Sequence, residues 1–201
     1  MRIDIDIDNT LSHTMRAFIP FLNKKHNGNK TKYNLKDAWT FNLYHTDFKE
    51  FYKDWSEFVE SDDHIKMDPI EHTIDVLKEL YKKHDLYIIT ARPTEMKEQT
   101  ILWLDKHFKA LFKEKILLEY KTASATALLF TKYDVCKKLN IDLIIEDSLE
   151  TAIECSNNNI KAILYNHENK YNWQDSKEIP NKIIRTTSWK DIKKEIEKME
   201  K

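Results

Sequence analysis

Six short apolar runs punctuate the chain, at residues 3–7, 86–89, 116–118, 143–145 and 162–164, with a weaker one at 183–184. Most are separated by segments of helical length and helical periodicity. Runs this short and this apolar read as buried strands, and their spacing is too wide for hairpins. A mostly parallel sheet covered by helices is the architecture that accommodates them. The chain has 201 residues, enough for one full domain and a small appendage.

One interval departs from the strand-helix-strand rhythm. Roughly eighty residues separate the first run from the second, where a single crossover needs about thirty. The excess, residues 12–67, reads as helical and carries its own aromatic supply: Phe18, Phe21, Trp39, Phe41, Tyr44, Phe48, Phe51, Tyr52, Trp55 and Phe58. The expectation is a small helical cap at 12–67 inserted after strand one, on a core made of 1–11 and 68–201. Local signals refine this. Asp68-Pro69-Ile70-Glu71 predicts a helix start, with an Asp cap, Pro in the first turn and Glu three residues after the cap. Asp47 to Glu50 repeats the pattern ahead of the Phe48–Phe58 aromatics, whose helical spacing marks them as the core of the cap. Gly28 is expected to end the first cap helix, Pro20 to kink or break it, and residues 188 to about 201 to form a polar helix.

Composition removes several function classes. With Gly 1, neither a G-x-G-x-x-G dinucleotide loop nor a Walker A loop can be written. Lys+Arg 33 against Asp+Glu 34 gives a formal net charge of −1, which argues against a nucleic-acid-coating role. Cys136 and Cys155 are too few for a disulfide framework or a zinc ribbon and read as buried helix residues. No long apolar stretch opens the sequence, so a soluble, cytoplasmic chain without membrane attachment is expected. The eight histidines show no paired metal spacing, and His13 is read as a bystander.

Chemistry concentrates at strand ends, where parallel sheets bind ligands. Asp6-Ile7-Asp8-Asn9-Thr10-Leu11 leaves the first strand with two carboxylates that can converge on an oxygen-loving cation such as Mg²⁺. Asp4 lies inside the strand and is the poorer candidate. Ile88-Ile89-Thr90-Ala91-Arg92-Pro93 ends the second strand in a hydroxyl followed by the N–H groups of Ala91 and Arg92, a phosphate-oxygen site. Arg92 is placed either on that phosphate or on a local carboxylate. Glu146-Asp147 leave the fourth strand, and Lys132 opens the helix before it. Lys121 and Lys137 compete with Lys132 for the role of site lysine, which Lys132 takes by its position at a helix start.

The order strand-DxDxT, strand-T, helix-K, strand-ED resembles the four motifs of the haloacid dehalogenase superfamily over nearly the whole chain. In a receiver domain the acids come early and the lysine last, the reverse of the order of Lys132 and Glu146-Asp147. The resemblance implies an α/β, three-layer Rossmann-like parallel sheet, with a small helical cap inserted after the first strand. It implies Asp6 as nucleophile, forming an aspartyl-phosphate, and Asp8 as general acid and base. Thr90, with Ala91 and Arg92, would bind phosphate, and Lys132 would neutralise it. Mg²⁺ would be held by Asp6, Asp147 and the main-chain carbonyl of Asp8, with Glu146 behind Asp147 or exchanging roles with it. A raised Asp8 pKa is expected from its anionic neighbour and cap closure. The cap, Ile-Thr-Ala-Arg-Pro and Glu-Asp are similar to the 5′(3′)-deoxyribonucleotidase group. That likeness implies a small phosphorylated substrate, preferably a nucleoside monophosphate. Trp39 and Phe41 would stack on its base, and the oligomeric state is left open. Asn9 stands where that group often has Gly, and Asn enters left-handed conformations readily. The runners-up are a nucleic-acid 3′-phosphatase and a non-enzymatic phosphate-binding scaffold of the same fold.

Overall fold

A computed structural model describes residues 1–28, 48–118, 130–169, 171, 174 and 178–201. Trp39, Phe41, Tyr44, Asp47 and Lys121 lie outside the described residues. The six apolar runs form six strands: β1 (Arg2–Ile5), β2 (Asp85–Thr90), β3 (Glu114–Leu117), β4 (Leu143–Glu146), β5 (Lys161–Tyr165) and β6 (Ile183–Thr186). All neighbours are parallel, in the order β3-β2-β1-β4-β5-β6. The chain builds outward from β1 to β3, then returns to the other side of β1 to lay down β4, β5 and β6. β1 and β4 therefore flank the switch point at which such sheets bind ligands.

Side-chain alternation sorts the strands onto two faces. On one face Ile3, Ile5, Leu86, Ile88, Leu143, Ile145 and Ile163 are buried against helices α1 (Thr14–Lys25), α4 (Thr73–Leu80), α5 (Lys97–Phe108) and α8 (Trp189–Met199). On the other, Tyr87, Ile89, Ile144, Ala162 and Leu164 are buried under α6 (Lys132–Lys138) and α7 (Leu149–Asn157). The result is three layers. Asp4 falls on the second face by the same alternation and is fully buried there. α8 is polar outside only: Trp189, Ile192 and Ile196 are buried, and the Trp189 indole N–H donates to the Thr10 carbonyl at 2.9 Å.

Between β1 and β2, α1, α2 (Phe48–Glu60) and α3 (Asp62–Ile65) pack on one another, and α2 and α3 also touch α5. Phe18 is their centre, with the rings of Phe21, Phe51, Trp55 and Phe58 around it at 5.0–6.3 Å. Lys25 pairs with Asp54 at 2.8 Å and ties α1 to α2. α1 runs unbroken through Pro20.

Two local expectations are corrected. Helix α4 starts at Thr73 behind a left-handed His72, not at Asp68. Pro69 instead forms an isolated bridge with Ser12, and the Ile70 N–H donates to the Leu11 carbonyl at 2.8 Å. The stretch that carries a helix-start pattern is thus drawn into extended pairing with the loop after β1, an arrangement that a proline φ permits. At the end of α1, the left-handed residue is Asn27 (φ 49) and Gly28 follows it, its N–H donating to the Asn23 carbonyl at 2.8 Å.

Asn27 exemplifies how a chain with one glycine ends its helices. Asn140 (φ 53) and Asn159 (φ 66) stand in the same position after α6 and α7. In each case the next residue, Ile141 or Ile160, closes the six-residue return bond onto Cys136 or Cys155 at 2.9 and 3.0 Å. These are Schellman closures with Asn in the place usually given to Gly. Asn159 is exposed, so its backbone conformation dominates its effect on stability. Asn159→Ala should cost about 1 kcal/mol in urea unfolding, and Asn159→Gly should stay within about 0.5 kcal/mol of the parent. Equal stability of the two variants would contradict the account.

Candidate active site

The first motif is shaped by one carbonyl. The Asp6 N–H donates to Ile145 O at 3.0 Å, carrying the β1–β4 pairing one residue past the strand. The chain then folds back at Asn9 (φ 59). The N–H groups of Thr10, Leu11 and Ser12 and the Ser12 hydroxyl all converge on Ile7 O at 2.9–3.3 Å. Asn9 is pinned on three sides: its amide oxygen accepts from Met15 N–H, its amide nitrogen donates to Asp147, and its carbonyl accepts from the Tyr171 hydroxyl. This turn sets Asp6 and Asp8 at the carboxyl end of β1 as separate centres.

The Asp6 centre is built around Lys132. Thr131 caps α6 and forms a reciprocal capping box with Asp134, which fixes Lys132 as the first helical residue. Its ammonium donates to Asp6 Oδ1 and to Glu146 Oε2, both at 2.8 Å, and lies 4.0 Å from Asp4 Oδ2. Lys137 is elsewhere: its ammonium stands 5.9 Å over the Tyr133 ring, on the exposed side of α6. Carboxylate oxygens of Asp6, Glu146 and Asp147 lie within 4.8 Å of one another, and all three residues are buried. Asp147 also approaches the Asn9 amide at 3.4 Å, and its carbonyl accepts from Gln174 at 2.8 Å.

The electrostatics follow from this crowding. Burial pushes the carboxyls of Asp6, Glu146 and Asp147 up; neighbouring carboxylates (Asp8 on Asp6, Asp6 and Asp147 on Glu146, Asp6 and Asp8 on Asp147) add to the rise, and Lys132 opposes it. Asp4, desolvated and deep in the sheet, is pushed up to about 7. Burial would lower the Lys132 ammonium, but Asp6, Glu146 and Asp4 outweigh it and hold it well above its ordinary value. Among the described residues, three buried carboxylates face one lysine, and they offer hard oxygen donors only. That surplus of negative charge on convergent oxygens fits a hard dication such as Mg²⁺.

The Asp8 centre differs. Arg92, almost wholly buried, forks onto Asp8: Nε donates to Oδ2 at 3.0 Å and Nη2 to Oδ1 at 2.7 Å. Of the two placements open to Arg92, the structure shows the carboxylate pair. The remaining terminal nitrogen, Nη1, reaches His64 Nε2 at 2.8 Å and Thr100 Oγ1 at 3.2 Å. The Trp55 ring lies 5.9 Å from the guanidinium carbon. A guanidinium has no acceptor, so His64 Nε2 must accept. Consistently, burial and Arg92 push the His64 pKa down to about 3, leaving a neutral ring. Thr14 donates to Asp8 Oδ1 at 2.7 Å. Burial alone would raise the Asp8 pKa, but Arg92 and Thr14 overcome it and hold the group below the usual carboxylate range. The raised value expected from the sequence is therefore corrected: the partner is a cation that the motif spacing did not reveal.

Thr90 ends β2 beside β1, buried, and its hydroxyl accepts from the Arg92 N–H at 3.3 Å. Ala91 is exposed just beyond it. Sequence reading missed His64 and Thr100. Neither has a site role that its local sequence reveals, because each meets Arg92 only through the packing of α3 and α5.

Fold and family together make the protein a phosphoric monoester hydrolase of the haloacid dehalogenase superfamily. Within it, residues 1–199 match the family described as 5′ nucleotidase, deoxy (pyrimidine), cytosolic type C protein, and the chain belongs to that family. "Putative nucleotidase YqfW" of Bacillus subtilis is 28% identical over 196 residues, covering 94% of this chain and 90% of that one. The crystal structure of a predicted phosphatase from Clostridium acetobutylicum is similar at TM-score 0.70 and 18% identity, over 98% of both chains. The crystal structure described as that of "the putative HAD-hydrolase YfnB from Bacillus subtilis bound to magnesium" is similar at TM-score 0.58 and 15% identity, over 95% of this chain and 96% of that one.

Cutting one partner out of a buried ion pair leaves the other uncompensated, at about 3–5 kcal/mol. Arg92→Ala should therefore destabilise the protein by about that amount in urea unfolding. Adding Asp8→Asn should recover more than about 1 kcal/mol of the loss, the coupling expected of residues in contact. Strict additivity of the two substitutions would contradict the pairing.

Proposed function

We propose that the protein hydrolyses a small phosphomonoester, a nucleoside monophosphate by preference, through an aspartyl-phosphate formed on Asp6. The observation that carries this reading is the convergence of Asp6, Lys132, Glu146 and Asp147 at the end of β1, with Asp8 two residues on. A carboxylate approaching a phosphate dianion meets like-charge repulsion, so the surroundings must supply positive charge. Lys132 supplies one charge at bonding distance of Asp6. Asp6, Asp147 and the main-chain carbonyl of Asp8 would hold Mg²⁺, which when bound adds charge neutralisation at the phosphate oxygens. Glu146, bonded to Lys132, keeps the ammonium in place.

In the first step an oxygen of Asp6 bonds to phosphorus as the bond to the ester oxygen breaks, and Asp8 gives that oxygen a proton. In the second, Asp8 takes a proton from water as the water oxygen bonds to phosphorus, and the bond to Asp6 breaks. Arg92 holds Asp8 ionised at rest, the form required in the second step. An incoming phosphate dianion favours the protonated form required in the first. Thr90 and the N–H groups beyond it would orient the phosphate oxygens.

The motif residues contact only the phosphoryl end, so discrimination falls to residues 12–67, which we assign as the cap, and within it to Trp39 and Phe41. The family description and the nucleotidase relatives support the nucleotide reading. Asp6→Asn should abolish phosphate release while the protein stays folded by circular dichroism. EDTA should do the same to the parent, and Mg²⁺ should restore it. In a substrate panel, nucleoside monophosphates should exceed sugar phosphates in kcat/KM. Substantial turnover by folded Asp6→Asn protein would overturn the mechanism, and a preference for sugar phosphates would overturn the substrate class.

A further inference from the structure

Among the described residues, the fold assembles outside the carboxylate centre a second cluster of side chains of metal-ligating type, from three distant parts of the chain. His13 sits at the mouth of α1, Glu71 in the turn before α4, and His167 in the turn after β5. One potential ligand atom from each lies within 4.8 Å of the other two. His13 Nε2 is 3.2 Å from Glu71 Oε2, and His167 Nε2 is 3.9 Å from the same oxygen. The two imidazoles meet edge to face, with centroids 5.0 Å apart. Around a tetrahedral zinc ion, bonds of about 2.0–2.1 Å place ligand atoms roughly 3.3 Å apart. Closing the group onto an ion therefore needs side-chain movements of order 1 Å.

The tautomer of His167 follows from its neighbours. Arg16 Nη2 lies 3.3 Å from His167 Nε2, and a guanidinium can only donate. Nε2 therefore carries the lone pair and Nδ1 the proton, which is donated to the buried Tyr165 hydroxyl at 2.8 Å. A ring held through its Nδ1–H, with the Nε2 lone pair on the side of Glu71 and covered at rest by Arg16, is set as a metal-ligating histidine is. His13, now facing Glu71 through Nε2, needs only to carry its proton on Nδ1.

We propose that His13, Glu71 and His167 bind one Zn²⁺ ion. Two imidazole nitrogens and a carboxylate oxygen suit a borderline cation and give Mg²⁺ too few oxygens. A remaining coordination position can be filled by solvent from the adjoining cavity of about 620 Å³, which His13, Arg16, Lys66 and Glu71 help to line. Arg16 occupies the approach to His167 and must swing away, so it competes with the ion. The inference does not depend on the phosphatase reading.

The test uses full-length protein stripped of metal and then saturated with Mg²⁺ to fill the carboxylate centre. Zn²⁺ is titrated against a chromophoric chelator. The side chain of Glu71 is 62% exposed and Arg16 is exposed, so their variants should fold. One equivalent of Zn²⁺ should bind. Glu71→Gln should weaken binding at least tenfold, His13→Ala should abolish it, and Arg16→Ala should tighten it. Substituted Co²⁺ should show visible bands of nitrogen and oxygen ligation that are lost in His13→Ala. The proposal is overturned if the parent binds no more Zn²⁺ than folded His13→Ala protein. It is equally overturned if Arg16→Ala weakens binding as Glu71→Gln does.

Discussion

A single buried ammonium organises the reactive end of the sheet. Lys132 bonds to carboxylates from two adjacent strand ends and lies within 4.0 Å of a third, Asp4, inside β1. Without it, Asp6 and Glu146 would face each other across a desolvated space, a repulsion relieved only by protonating one of them. Its position depends in turn on the capping box that starts α6 and on the parallel pairing that sets β1 beside β4. Among the described residues, the one ammonium there cannot balance Asp6, Glu146 and Asp147, however. The residual negative charge favours a hard dication, and the same dication would serve the charge requirement of phosphoryl transfer.

Asp8, two residues away, is governed by a separate cation. Arg92 leaves the end of β2, forks onto Asp8, and anchors its far side on His64 of α3 and Thr100 of α5. The two aspartates of one short motif thus have opposite tendencies: burial pushes Asp6 up, and Arg92 pulls Asp8 down. Separating the proton affinities of neighbouring carboxyls is how one site assigns distinct roles to them. The anchor on α3 couples the Asp8 centre to the helices inserted between β1 and β2. Any displacement of those helices bears directly on the arginine.

The strands were legible because a parallel, doubly covered sheet demands short continuous apolar runs, and all six runs became strands. The convergence of Asp6, Glu146 and Asp147 was legible because the ends of neighbouring parallel strands meet at one edge of the sheet. What escaped the sequence was contact between remote segments. Lys132 meets Asp6 across 126 positions and Arg92 meets Asp8 across 84. A lysine at a helix start advertises the first; for the second, the sequence leaves Arg92 between phosphate and a local carboxylate without singling out Asp8, so the Asp8 pKa is expected on the wrong side. His13 looked incidental because Glu71 and His167 approach it only through the fold. Asp68-Pro69 failed in another way, as a sound local pattern overridden by pairing with Ser12. Gly28 failed because Asn27 serves the left-handed position.

The central claim is that Asp6 becomes covalently phosphorylated during turnover. Acyl phosphates are reduced by borohydride to the alcohol, which converts an aspartyl-phosphate into homoserine. Enzyme acid-quenched during steady-state turnover of a good substrate, treated with borohydride and mapped by peptide mass spectrometry should carry homoserine at position 6. Protein quenched without substrate should carry none. An unmodified position 6 in an enzyme that is turning over, or homoserine at position 8, 146 or 147 instead, would contradict the account.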